Sequence, residues 1–431
     1  MRTTDFQPML RRHVLRLGLA ASLLPAAVRT RAAERTRLRL AHEESAPGSV
    51  RLLDETVAAF EHADAPVQVS QLYLENAAYK AKLTTMLQSD NRPDVLFSWG
   101  RGTLDAQVGA GVLREVTAVV EGWHQQFSPT ALDAFRIGGK LWGVPFQVSG
   151  VGLFCNLALF RRASVEPAQL DEFDGLLKAV AKFKAAGIVP LTVGGGEKWP
   201  LHFYWAMLAL RLGGKAGFDD ALAGRGGGFA APAFVEAGRR LQQLAKAGAF
   251  QPGFAGTLAP ESYGQFGDGK AAMTLMGNWL LGVQKSNSAG GAGVADQDLG
   301  YRRFPVVAGG RGLPTDTFGG VNGWAVTRSA PDDALSLLRA LSGSDFEGKG
   351  AERNVFLPAL AGYASRLTNP VLRQVATELD HSSYLLLFLD QTLGPSVGSV
   401  VNDVSLGLAS GSLTPEAAAK QIEDAHQAEQ I

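Results

Sequence analysis

The stretch NRPDVLFSWGRG, Asn91 to Gly102, ends the apolar run Val95-Leu96-Phe97 abruptly in Ser98, Trp99 and a glycine-flanked turn. An indole is costly to leave wet and awkward to bury with its N–H unpaired. At such a place it suits the floor of a pocket on which something flat and partly apolar lies. Other residue types that could do chemistry are arranged less tellingly. None of His13, His42, His62, His124, His202, His381 and His426 pairs at the helical spacing of a zinc site. The glycines of VGGGEKW are not followed by the Lys-Ser/Thr of a phosphate loop. Cys155, inside the apolar run LFCN, reads as a small buried hydrophobe rather than a nucleophile. As the single cysteine, it excludes an internal disulfide and a cysteine metal cluster. Acid pairs remain open, because any two carboxylates facing each other across a cleft would serve a glycosidase.

The elements around Trp99 explain its placement. TRLRLAH (Thr36 to His42) alternates like a strand, and VRLLDETVAAFEHA carries Leu53, Val57 and Phe60 on one helical stripe. PVQVSQLYL reads as a second strand, YKAKLTTMLQSD as a second helix and DVLFSW as a third strand. This alternation implies an α/β fold with a mostly parallel sheet, in which ligands gather beyond the carboxyl ends of strands. Further along, GKLWG is a hairpin turn before a long apolar segment, and DEFDGLLKAVAKFKAAGIVPLTV is a helix stopped at Gly187 before a strand. A helix after SAPDD is expected to be capped by Ser329 with Pro331 in its first turn. The last helix is expected to be capped by Thr414, with Pro415 at its first position.

A chain of 431 residues, 46% hydrophobic, has material for two or three domains and a large core. Its 41 basic residues balance 41 acidic ones, which argues against nucleic acid or an acidic membrane as the main partner. No run of like charge marks a site for a charged solute. The N-terminus stands apart. LRRHVLRLGLAASLLPAAV carries Arg11-Arg12 ahead of an apolar stretch too short to span a bilayer, followed by Ala32 and Ala33 as a cleavage region. Residues 1–33 therefore read as an export signal resembling the twin-arginine kind, although Leu10 and Val14 depart from that pattern. The expectation is a soluble periplasmic protein.

Five segments occur in a telling order: YKAKLTTMLQSDNRPDVLFSWG, GKLWGVPFQVSGVGLFCN, GQFGDGKAAMTLMGNWLLG, GGVNGWAV and GSLTPEAAAKQI. Together they resemble the extracellular solute-binding proteins of sugar ABC transporters, the group of maltose-, raffinose- and xylobiose-type binders. The resemblance implies a type II periplasmic-binding-protein fold, with two α/β lobes joined by crossing strands and a ligand cleft between them. Carried over, the N-terminal lobe is residues 34–147 plus 320–344 and the C-terminal lobe 148–319 plus 345–431. The crossings fall near Val148, Gly319 and Ser344.

A sugar presents apolar C–H faces and rims of hydroxyls, so its site needs aromatic plates and planar polar side chains. Trp279, beside Asn278, matches the position where the family supplies a stacking aromatic. Trp99 and Trp199 stand at ends of elements, and Phe146 and Gln147 lie at the first crossing. In GGVNG, Gly320 lets backbone approach a ligand and Asn322 both donates and accepts. Glu43 or Glu44 after the first strand, and Glu75 and Asn76 after the second, could bind hydroxyls, although Asn76 equally suits a helix cap. Asp316 and Asp390 complete the candidates. Trp142, Trp205 and Trp324 read as core.

The resemblance implies a carbohydrate ligand, permease subunits of an ABC transporter as partners, a monomer, no cofactor and no catalysis. A secreted carbohydrate-active enzyme and a sugar-sensing domain feeding a signalling partner are the alternatives. The two binding readings share every residue named here.

Overall fold

The computed structural model describes residues 35–63 and 67–429. The export signal expected over residues 1–33 lies outside them. Residues 35 onward form one compact unit.

Its spine is a ten-stranded sheet among the described residues, ordered β2-β1-β3-β10-β6-β8-β7. In chain order the strands are β1 (Thr36–His42), β2 (Val67–Tyr73), β3 (Val95–Ser98), the small hairpin β4 (Arg136–Ile137) and β5 (Lys140–Leu141), and β6 (Val144–Asn156). Then come β7 (Val189–Leu191), β8 (Ala271–Gly277), β9 (Leu299–Arg302), β10 (Thr317–Val326), β11 (Leu357–Pro358) and β12 (Leu385–Leu387). β1 pairs in parallel with β2 and β3, as the βαβ reading of the first hundred residues requires. β10 then returns antiparallel to both β3 and β6. The sheet is therefore mixed, where the strand–helix alternation gave a mostly parallel one. The antiparallel members are long segments that cross the molecule once without a helix between them.

Two hydrophobic cores sit on this sheet. The first gathers Leu38, Leu40, Leu53, Val57, Leu83, Phe97, Phe146 and Trp324. The second gathers Phe154, Phe173, Phe183, Trp205, Phe234, Met273 and Leu386. β6 contributes Val144 and Phe146 to the first and Val151 to Cys155 to the second. β10 contributes Phe318 to the second and Val321 to Val326 to the first. The helix Ser344–Glu352 also bridges them, with Phe346 in the first core and Ala351 in the second.

The local readings mostly hold, and the exceptions have causes. Gly187 ends the helix Phe173–Ala185 at φ 68°, the left-handed backbone that glycine adopts without strain. Thr414 accepts the Ala417 N–H and so caps the helix Pro415–Glu429. Ser329 caps nothing, because the next helix starts only at Asp333, after turns closed by Ala330 on Thr327 and Ala334 on Pro331. The helix Trp199–Leu222 is apolar nearly all round and lies inside the second core, broken at Gly214 where φ is 62°. Trp205 and Trp324 are core residues, and Trp142 is partly buried against the β4–β5 hairpin, its indole N–H on Ile137 O.

Candidate functional site

A cavity of about 420 Å³ opens where the carboxyl ends of β1, β2 and β3 face residues borne by the second core. Parallel pairing builds one of its walls. His42 sits opposite Tyr73 in register, so the residues just past each strand, Glu43-Glu44 and Glu75-Asn76, emerge side by side. Residues far apart in the chain thus form a cluster of three carboxylates, Glu43, Glu44 and Glu75, where the sequence shows no charged run.

Each member of this wall is held locally. Glu75, not Asn76, caps the helix Asn76–Gln88: its Oε2 accepts the Ala77 N–H at 2.9 Å. That frees Asn76 to donate its amide to Glu43 Oε2. Burial pushes the Glu43 carboxyl up to about 8, with Glu44 and Glu75 adding to the shift and Lys80 and Asn76 opposing it. Burial likewise pushes Glu44 up to about 7, against a hydrogen bond from Ser49. Lys80, one turn along the same helix, does not pair with these carboxylates. Its Nζ lies 2.9 Å from Asp390 Oδ2 and 5.1 Å from the centre of the Trp99 ring. Burial opposes ionisation of Asp390, but Lys80 and its other neighbours prevail and hold its carboxyl below the usual value. His202, fully buried with its Nε2 3.9 Å from Asp390, is pushed down to about 4 by burial and is neutral at pH 7.

The opposite wall is aromatic. Trp199, Phe203, Trp279 and Phe388 form a connected set: Trp199 to Trp279 is 6.4 Å between ring centres, Trp279 to Phe388 6.1 Å, and Phe203 stacks on Phe388 at 5.2 Å. Glycine makes room for two of these rings. A Cβ on Gly277 would collide with the Trp279 indole, and one on Gly320 with the Phe388 ring. The Trp199 N–H donates to Glu197 at 3.0 Å, which satisfies its polar edge and fixes the plate. Trp99 belongs to the first wall, set edge-on against Phe97 and Tyr79. The turn after it needs glycine, since Gly100 has φ 70° and a Cβ there would stand 2.6 Å from Ala134 O.

At the floor, where β6 and β10 cross, Gln147, Ser149 and Asn322 line the cavity beside Asn278. Asn278 Oδ1 accepts the Gly150 N–H at 3.0 Å, which orients its amide. Asn322 is only 7% exposed, and its Oδ1 has no hydrogen-bond partner.

Of the candidates read from sequence, the cavity assembles Glu44, Glu75, Asn76, Trp99, Gln147, Trp199, Asn278, Trp279, Asn322 and Asp390. Three lie elsewhere. Phe146 is in the first core, stacked on Trp324 at 5.1 Å, because side chains alternate along β6 and its neighbour Gln147 faces the other way. Asp316 folds its own loop: Oδ2 accepts the Leu313 N–H, and its carbonyl receives the buried Arg211 guanidinium. Gly320 does not line the cavity; its part is to leave space for Phe388. Glu43, named from sequence as the alternative to Glu44, lines the cavity too; the sequence reading does not name Tyr73, Lys80, Phe203, Tyr263 and Phe388. Lys80 could have been found, one turn into a helix whose first residues were already candidates. Phe203 and Phe388 carry no local signal that separates them from core aromatics. Among the described residues no group of three or more His, Cys, Asp or Glu could hold a metal ion.

Residues 46–344 match the family model for the bacterial extracellular solute-binding protein, and the chain belongs to that family. Over 248 residues it is 26% identical to an uncharacterized ABC transporter extracellular-binding protein of Pyrococcus horikoshii, a match over 53% of this chain and 54% of that protein. The chain spans about half the length, or less, of the first curated relatives it matches. A protein solved in work on xylan utilization by the thermophilic bacterium Caldanaerobius polysaccharolyticus superposes with a TM-score of 0.84 at 26% identity, over 90% of this chain and 99% of that one. A chitin oligosaccharide binding protein superposes with a TM-score of 0.82 at 20% identity, over 91% and 98%. These likenesses establish the two-lobed periplasmic-binding-protein fold, with β6 and β10 among the strands that run through both cores.

Proposed function

We propose that this protein is the ligand-capturing component of an ABC transporter for a mono- or oligosaccharide. In this reading it is exported to the periplasm, acts as a monomer, closes its two lobes on the ligand and delivers it to membrane permease subunits. The observation that carries the proposal is the cavity itself: a wall of aromatic plates faces a wall of planar and charged polar groups, with amides at the floor. That combination suits a ring with apolar faces and a polar rim. The family and the xylan-related neighbour support the same reading.

We place the lobes at residues 34–147 plus 320–344 and 148–319 plus 345–431, so the cavity lies between them. The Lys80–Asp390 pair then links one lobe to the other. Ligand that prefers the closed arrangement shifts the population toward it, and the closed form is the one the permease receives. No bond is made or broken. Among the described residues no helix is long and apolar enough to cross a membrane.

A thermal-shift screen against a broad saccharide panel tests this reading, since a ligand that binds only folded protein raises Tm by mass action. A hit recovered unchanged after prolonged incubation is the expected result. Turnover of the hit into shorter products would replace the reading by the enzymatic one. Silence of a folded sample across the panel would remove it.

A further inference from the structure

Three carboxylates on one wall, with no Lys or Arg paired to them among the described residues, lead beyond a generic sugar site. We propose that the ligand presents a protonated amino group to Glu43, Glu44 and Glu75 while its ring lies on the opposing indoles; resting on the carbohydrate reading above, this makes it an amino sugar.

Charge balance distinguishes the ligands this wall can take. A hydroxyl both donates and accepts, so a site for neutral sugars needs donors as well as acceptors. The cavity has such donors in the amides of Gln147, Asn278 and Asn322, the Trp99 indole and the Tyr73 hydroxyl, but no unengaged cation to set against its carboxylates. Lys80, the one basic side chain lining it, is engaged by Asp390 at 2.9 Å. The Asn76 amide N–H₂ is engaged by Glu43. The unpartnered buried side-chain atoms among the lining residues are both acceptors: Asn76 Oδ1 and Asn322 Oδ1. When ionised, the three carboxylates add negative charge that no lining cation balances. An ammonium group is the complement, with three donors, no acceptor and a positive charge. Hydroxyl recognition would be served at lower cost by amides, since burying carboxylates without a cation is unfavourable.

The aromatic wall agrees with this assignment, because indole faces attract cations as well as apolar C–H groups. The remaining charged and titratable groups around the wall do not neutralise it. Tyr73, Tyr263 and Glu197 add no positive charge, Lys80 stays with Asp390, and His42 on β1 is pushed down to about 4 by burial against the opposing pull of Asp54. In the unliganded state Glu43 and Glu44 hold protons near neutral pH, since burial raises both. A bound cation favours their ionised forms, so binding releases protons.

The test is titration calorimetry of the purified protein at pH 6.5, in buffers of different ionisation enthalpy. The probes are saccharides differing only in one substituent: glucosamine, N-acetylglucosamine and glucose, each as monomer and β-1,4 oligomer, with galactosamine and galactose as a second set. Choline and spermidine serve as cations without a sugar ring. The expected result is at least tenfold tighter binding of an amino form than of its acetylated and hydroxyl counterparts, with proton release. Glu44→Gln and Glu75→Gln should shrink that preference while leaving Tm within a few degrees. Neutral or acetylated sugar binding as tightly as the amine, without proton release, overturns the inference and leaves the carbohydrate reading intact. Binding of choline or spermidine but of no saccharide keeps the cationic assignment and removes the carbohydrate reading. No binding by any probe overturns both.

Discussion

The two walls of the cavity use opposite chemistry. The wall at the ends of β1 and β2 is charged and short, built from Glu43, Glu44, Glu75 and Lys80 on tight strand–helix turns. The wall borne by the second core is aromatic and deep, built from Trp199, Phe203, Trp279 and Phe388, whose rings pack on one another before they meet any ligand. Partly buried charges give direction and discrimination but little net energy, because desolvation offsets much of the attraction. Aromatic faces give energy through buried area and little discrimination among rings. The difference teaches that affinity should reside mainly on one side of the cavity and selectivity on the other. Substitutions in each wall can test this division.

The largest effect is expected away from both walls. Phe146 is 1% exposed and packs on Trp324, Phe97, Phe346 and Phe356, so its aromatic ring serves the first core. Phe146→Ala should cost about 3–5 kcal/mol of stability by denaturant titration. Affinity measured on the fraction that remains folded should change less than threefold. A large loss of affinity with intact stability would put Phe146 in the site after all and blur the boundary between wall and core.

Within the aromatic wall, Trp279→Ala should weaken the best ligand by about ten- to a hundredfold, roughly 1.4–2.7 kcal/mol, with circular dichroism unchanged. Trp279 is partly exposed and stands over Gly277, so its removal opens no sealed core. Unchanged affinity would move the energetic weight to the charged wall.

Across the gap, Lys80→Met and Asp390→Asn should each weaken binding several-fold. Their double-mutant cycle should return a coupling of about 1 kcal/mol. Asp390 is nearly buried while Lys80 is partly exposed, so removing the lysine should do more harm than removing the acid. Zero coupling would mean that the pair follows lobe closure without contributing to it.

How much of this was legible beforehand follows from the physics of each signal. β1 was read at its full span, Thr36–His42, because alternation at period two is local. Trp99 and Trp199 stand out because a large indole beside glycine or at a helix start is conspicuous in one dimension, whereas Trp279 stands out through the family resemblance. The carboxylate cluster was not legible as a cluster, since it exists only through the parallel register that sets His42 beside Tyr73. Phe388 lies in a segment, YLLLFLDQ, whose apolar residues look alike until β12 pairs with β10 and turns one ring toward the cavity. Phe146 and Gln147 were named together, although adjacent residues of a strand face opposite ways. The period that found the strand could also have separated them.

The smallest effect is also the most specific to the charged wall. Glu43 has a carboxyl pushed up to about 8 from an ordinary 4.5, chiefly by burial. Between those values the folded protein binds more protons than the unfolded chain, so stability falls as pH rises through the window. Glu43→Gln removes that dependence and keeps an acceptor for the Asn76 amide. The variant should therefore melt a few degrees above the unliganded wild type at pH 8, with the gap closing as pH falls toward 5. Saturating cationic ligand should erase the advantage, because it lets the native carboxylate ionise against a partner. An equal Tm difference at pH 5 and pH 8 would show that Glu43 contributes packing rather than charge. The wall facing the indoles would then owe its discrimination to Glu44 and Glu75 alone.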